Sequence, residues 1–312
     1  MYELGDFSTL IKMIPLVYHA SYSKLALPSH HRFPTTKYAR LYQYLLDNQL
    51  AVPAQFHTPS PMTAEDVMQV HQQDYVEQFI QGSLASAALR RIGFPWSEAL
   101  VERTLHSVSG TSLTASLALQ TGIALHLTGG YHHAHYDFGS GYCIFNDLII
   151  AARKLMAEQQ LHKVLIFDCD VHQGDGTATL SHRHQGIISC SIHCKENFPS
   201  RKQQSHYDIE LTKGSDDIAY QETIEQTLEL LIRLHQPDLI LYDAGVDIHQ
   251  DDDLGHLMIS KQGLYQRDLT VLSMAKAANI PVAAVIGGGY SRDELQLSQR
   301  HSQLFIAANH LW

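Results

Sequence analysis

Val164-Leu165-Ile166-Phe167-Asp168-Cys169-Asp170-Val171-His172 is the stretch on which the fold turns. Four apolar residues in a row, without polar alternation, suit a strand covered on both faces, as in a parallel sheet. Asp168, Asp170 and His172 then fall at every second position. Side chains on extended backbone repeat every two residues, so these three can share one face. Ligands of open α/β sheets sit beyond the carboxyl ends of the strands. The stretch therefore predicts a strand that ends at a site.

On either side of this stretch the same pattern repeats. Apolar runs at 14–18, 123–127, 187–192, 239–242 and 282–286 read as further strands, and Pro281 opens the last where its missing N–H does least harm. Helical patterns lie between them, at 38–48, 64–81, 110–121, 146–159, 220–234 and 261–278. Strands alternating with helices predict an α/β fold around a mainly parallel sheet. Segment 195–205 is polar and reads as a loop. With no repeat and no composition break, the 312 residues are expected to form a single domain, 1–312.

Composition narrows the function classes. A net charge of −10 argues against nucleic-acid binding, which needs clustered Lys and Arg on phosphates. No apolar run approaches the roughly 20 residues of a membrane span. The start of the chain, with Glu3 and Asp6, lacks the basic and apolar regions of a signal peptide. None of the four cysteines forms a C-x-x-C pair, and Cys143, Cys169 and Cys190 read as small core residues. A reducing cytoplasm is expected. Histidine is abundant, at 21 copies, but 182–184 and His301 read as solvated surface. Oligomeric state leaves no signature.

Four apolar runs deliver polar residues at their ends. These are Gly129-Gly130-Tyr131-His132-His133, the Asp168–His172 stretch, Asp243-Ala244-Gly245-Val246-Asp247 and Gly287-Gly288-Gly289-Tyr290. Buried carboxylates two residues apart are costly and repel one another, and a metal ion resolves both problems. Asp170 and His172 then supply two ligands and Asp247 a third, leaving a position open for water, as in catalytic zinc sites. Helix capping or ion pairing of Asp168 and Asp170 is the alternative. An imidazole of His132 or His133 near the metal would take a proton from water and return it to a leaving amine. Asp168 and Asp175 would orient those rings, although Asp175 also reads as a turn or cap residue. The triple glycine lacks the G-x-G-x-x-G spacing of a nucleotide site. Its bare backbone, Gly288 included, would let a substrate approach. Tyr290 would donate to the developing oxyanion, or serve as an amphipathic wall. The acidic run 251–253 reads as a solvated loop. Leu25, Leu27 and Phe33 either line a pocket or pack, and Arg90 and Arg91 either bind an anion or are solvated.

Together these motifs resemble the histone deacetylase superfamily. The matching segments are GGYHHA at 129–134, SGYCIFND at 140–147, FDCDVHQGDGT at 167–177, SCSIH at 189–193, DAGVDIHQDDDLG at 243–255 and GGGY at 287–290. RRIGFPWS at 90–97 and the GVD triplet resemble class IV and its bacterial relatives. The resemblance implies an arginase/deacetylase-like, three-layer αβα fold with about eight strands. It implies Zn2+ on Asp170, His172 and Asp247; Fe2+ suits the same donors. It also implies His132 paired with Asp168, His133 paired with Asp175 as the proton shuttle, and Tyr290 polarising the scissile carbonyl. Gly141, Tyr142 and Phe198 would line an acyl-lysine tunnel. A structural K+ would sit near Asp168, Asp170, His172, Ser191 and Ile192. The implied reaction is hydrolysis of a small acyl-amide or an acyl-lysine peptide. The alternatives are a dinuclear ureohydrolase, with His249 and 251–253 holding a second ion, and a non-catalytic acyl-lysine or polyamine binder.

Overall fold

The structure, a computed structural model, describes residues 13–159 and 161–312. The acidic start at Glu3 and Asp6 lies outside the described residues. Among the described residues eight strands form one sheet: β1 (Leu16–Val17), β2 (Phe56–His57), β3 (Ile123–His126), β4 (Val164–Asp168), β5 (Ile187–Cys194), β6 (Tyr207–Leu211), β7 (Leu239–Asp243) and β8 (Val282–Val285). Their order is β2-β1-β3-β8-β7-β4-β5-β6, and every neighbouring pair is parallel. From β3 the chain leaps to β4 and moves outward through β5 and β6. It then returns to lay β7 beside β4 and β8 beside β3. The strand ends that carry His132, Asp168, Asp243 and Gly287 are therefore contiguous at the centre of the sheet. That is the position where open α/β sheets bind ligands.

Burial follows the predicted pattern. All residues of β3, β4, β5, β7 and β8 are buried, whereas the edge strands β2 and β6 are partly exposed. Helices Lys37–Asp47, Glu294–Leu311, Lys261–Ala277 and Asp217–His235 pack in succession against one another, and Glu98–Thr121 packs with Asp147–Gln159 in a second group. Side-chain caps fix several helix starts: Ser97 accepts from the Leu100 N–H, Asp216 from Ala219 and Ser260 from Gly263.

Three readings need correction. The pattern at 64–81 is two helices, Ala64–Met68 and Gln73–Gln81, because Gln72 is extended and its N–H is taken by the Tyr136 carbonyl at 2.8 Å. The helix expected at 110–121 begins at Glu98, where Ser97 caps it. His301 is not surface: it is 1% exposed, one turn from Leu297 and Leu304 on the inner side of its helix. The four cysteines are free and buried. Among the described residues no helix is long and apolar enough to cross a membrane.

Candidate active site

Beyond Asp168 the chain leaves β4, so Asp170 and His172 converge through a turn and not along a strand. The carboxylates themselves staple that turn. Asp168 Oδ1 accepts the Asp170 N–H at 3.1 Å, and Asp170 Oδ1 accepts the His172 N–H at 2.9 Å. Asp247 arrives from the end of β7, where its Oδ1 accepts the Val171 N–H at 2.9 Å. The β7 turn is held from behind by the buried Arg267. Its guanidinium pairs with Asp268 at 2.9 Å and donates to the carbonyls of Gly245 and Ala244.

These constraints aim three donors at one point. His172 Nδ1 lies 2.9 Å from Asp170 Oδ1 and 3.2 Å from Asp247 Oδ2, and the donor atoms of the trio all lie within 4.8 Å of one another. All three residues are buried. The buried donors repel and attract one another strongly. Burial and the neighbouring Asp170 push Asp247 up to about 6. Burial works against a charged His172, but its hydrogen bonds to Asp170 and Asp247 win and raise it to about 10. The arrangement suits a divalent cation: two carboxylates and one imidazole nitrogen around a single point. His249 is outside the metal-sized groupings among the described residues, and its Nδ1 accepts the Asp251 N–H at 3.1 Å.

The paired histidines have different surroundings. His132 Nδ1 donates to Asp168 Oδ2 at 2.8 Å, and His133 Nδ1 donates to Asp175 Oδ1 at 2.7 Å. Burial disfavours charge on both. In His132 the nearby Asp168 and Asp170 overcome it and raise the pKa well above the usual value. In His133 burial and the adjacent His132 prevail over Asp175, lowering it to about 4. At neutral pH the His132–His133 pair therefore holds one charged and one neutral imidazole. Asp175 leaves Nε2 of the neutral ring as the free basic nitrogen. Its carboxylate also accepts from His135 Nε2 at 3.1 Å, and it begins helix Asp175–Ser181.

Tyr290 follows β8 and faces the same space. Burial, then the negative Asp170 and Asp247, push its phenol well above the usual value, so it stays an O–H donor. Sequence reasoning missed the residue that fixes it. Asp252 Oδ2 accepts the Tyr290 N–H at 2.7 Å, while its Oδ1 takes the N–H groups of Leu254 and Gly255. The run 251–253 is thus only partly solvated: Asp251 and Asp253 are exposed, and Asp252 is built into the site. Lys37 was also missed. Its Nζ donates to the Gly287 carbonyl at 3.1 Å, and burial lowers it to about 8 against the pull of Asp247 and Asp170. Phe33 lines the same inner cavity, of about 30 Å³.

Gly288 lines the inner cavity and also serves the carboxylates. Its N–H donates to Asp170 Oδ2 at 2.8 Å, and a Cβ there would lie 2.0 Å from Asp247 Oδ2. Gly141, Tyr142 and Phe198 line a cavity of about 530 Å³ that opens from His133, His172 and Tyr290. Phe198 meets the His133 ring edge-on at 4.8 Å, and Gly141 adopts φ 52°, where a side chain would be strained and would strike His133. Ser191 pairs in register with Asp168 across β4 and β5, next to Ile192.

His71 holds this wall in place. It accepts the Asn146 N–H at Nε2 (2.9 Å) and donates from Nδ1 to the His135 carbonyl (2.8 Å), clasping both ends of the segment that carries Gly141 and Tyr142. Only the neutral ring can do both. Burial lowers its pKa to about 4 from the ordinary value of 6.5. The unfolded chain thus takes up the proton first as pH falls, and stability drains between pH 6.5 and 4. Wild type is expected to lose about 3 kcal/mol relative to His71→Gln across that window. Denaturant titrations of both at pH 7 and pH 4.5 check this; a constant difference contradicts it.

Residues 31–304 match the histone deacetylase domain family. The chain belongs to the histone deacetylase family. Like its fellow members, this histone deacetylase-family protein is a deacetylase-type hydrolase. It is 45% identical over 298 residues to an uncharacterized protein of Picosynechococcus sp., covering 96% of this chain and 99% of that one. It is 26% identical to histone deacetylase 2 of Arabidopsis thaliana, over 93% of this chain and 78% of that one. A crystal structure of an HDAC homolog complexed with SAHA superposes with a TM-score of 0.79 at 19% identity, covering 95% of this chain and 84% of that one. This last likeness establishes the shared α/β fold.

Proposed function

We propose that the protein is a zinc-dependent deacylase that hydrolyses an acyl-lysine or related acyl-amide to a carboxylate and a free amine. One observation carries the reading: Asp170, His172, His133 and Tyr290 line one cavity, with Asp247 completing the donor set and Asp175 bonded to His133. Zinc held by the trio would polarise the amide carbonyl and lower the pKa of a water toward about 7. Iron(II) would supply the same chemistry.

The protein's own groups do the rest. Asp175 keeps the proton of His133 on Nδ1, so Nε2 takes the attacking water's proton and then gives it to the departing amine. His132, held charged by Asp168, steadies the negative charge that builds on the amide. The Tyr290 hydroxyl donates to the carbonyl oxygen as it becomes an oxyanion. Tyr142 and Phe198 flank the aliphatic chain, with Gly141 keeping the passage open. A potassium ion near Asp168, Asp170, His172, Ser191 and Ile192 would offset the buried carboxylates beneath. The buried free cysteines suit a reducing compartment. His249 is turned to its own loop, which favours the mononuclear reading over a dinuclear ureohydrolase.

Incubating the metal-loaded protein with a neutral Nε-acetyl-lysine peptide tests this. Acetate and free lysine amine are expected in equal amounts, and no release of either contradicts the reading.

A further inference from the structure

The tunnel mouth has a charge opposite to that of the molecule. The chain carries 32 Asp and Glu against 22 Lys and Arg, yet Arg90 and Arg91, in the last turn of helix Ser86–Ile92, line the outer cavity. Among the described residues, the arginines with an ion-pair partner are Arg40, Arg267 and Arg300, so neither mouth arginine is neutralised within the fold. Arg91 is held by stacking on the Phe138 ring, with Cζ 4.7 Å from its centroid. Glu196 also lines the cavity, but its carboxylate is engaged by the Lys213 N–H at 2.9 Å and the Cys194 thiol at 3.4 Å. Glu196 keeps its charge, but two arginines against one carboxylate leave the rim net positive.

We propose that the substrate carries a carboxylate close to its acylated amine, outside the tunnel, and that Arg90 and Arg91 bind it. This rests on the deacylase reading and deepens it. Acidic or zwitterionic acyl-amides are favoured, and lysine-rich peptides are disfavoured by like charge. Exposed charge pairs are individually weak, so two arginines together give about a tenfold preference at low salt. That preference fades as ionic strength shortens the Debye length. The carboxylate has two sources, the free α-carboxylate of an acylated diamino acid and an acidic side chain beside an acyl-lysine in a peptide.

The test measures kcat/KM of the full-length, metal-loaded enzyme on two substrate sets. One pairs Nα,Nε-diacetyl-lysine as free acid with its methylamide. The other flanks Nε-acetyl-lysine with Glu, Gln or Lys in peptide amides. Each charged member is divided by the neutral member within the same enzyme, so losses of folding or metal cancel. Wild type is expected to favour the free acid, the Glu peptide or both by about tenfold at low salt, and under about twofold at roughly 0.5 M salt. The set with the larger ratio names the source. The same ratios are expected to fall below one in R90E/R91E. Equal turnover of charged and neutral members in wild type overturns the proposal, as does a preference that survives in R90E/R91E. No turnover of even the neutral members overturns the deacylase reading and this proposal together, whereas turnover without charge preference overturns this proposal alone.

Discussion

Asp247→Ala is expected to bind no stoichiometric zinc and to show no measurable turnover. Asp247 is fully buried, and its Oδ2 is one of the two carboxylate oxygens facing His172 Nδ1. Removing it leaves two protein donors where a catalytic zinc takes three. Because Oδ1 also accepts the Val171 N–H, alanine perturbs the turn as well. Asp247→Asn separates the two effects, since its amide oxygen can still accept that N–H. In the metal-free state Asp247→Asn is expected to be at least as stable as wild type. The native carboxylate is held up at about 6 by burial and by Asp170, and a neutral amide relieves that repulsion. Metal analysis and thermal melts after chelation check both statements. One equivalent of retained zinc in either variant contradicts the ligand assignment.

Tyr290→Phe is expected to fold, keep its metal and turn over about 10²–10³-fold more slowly, the usual cost of one oxyanion donor. The phenol is held protonated by burial and the adjacent Asp170 and Asp247, so the hydroxyl is a donor across the working pH range. Its backbone is fixed from both sides, with the N–H on Asp252 and the carbonyl accepting from the Asp253 N–H at 3.1 Å. Loss of the hydroxyl alone therefore leaves the chain path unchanged. The loss is expected in kcat, because the donor acts on charge that exists only in the transition state. Near-normal kcat in this variant, with zinc still bound, contradicts the role given to Tyr290.

The centre of the molecule was legible in the sequence because its chemistry is punctuated by strand ends. VLIF, LILY and VAAV are continuous apolar runs, and each gives way to polar residues for a reason that hydrophobicity alone cannot supply. Hence Asp170, His172, Asp247, His132, His133 and Tyr290 could be named, and the structure brings them together. The edges were less readable. Tyr207-Asp208-Ile209-Glu210-Leu211 alternates as a half-exposed strand should, but it follows a polar loop, and β2 is only two residues long. Helix Glu294–Leu311 hid behind Gln and Ser, since its apolar residues form only one stripe. Asp175–Ser181 begins among glycines and reads as a turn. His301 was misread because its sequence neighbours are polar, and burial is set by the helix face, not by the neighbours. Asp252 and Lys37 act on backbone groups far away in sequence, Tyr290 and Gly287, and no local pattern encodes such pairings.

The proposed chemistry depends on one buried Asp170–His172–Asp247 site holding one ion. Its most direct test is to strip the protein with a chelator and titrate zinc back while following hydrolysis of a neutral acetyl-lysine peptide. No activity is expected in the stripped protein, followed by a linear recovery that breaks at one zinc per chain. Full activity without metal, or recovery that continues to a second equivalent, would contradict the mononuclear mechanism.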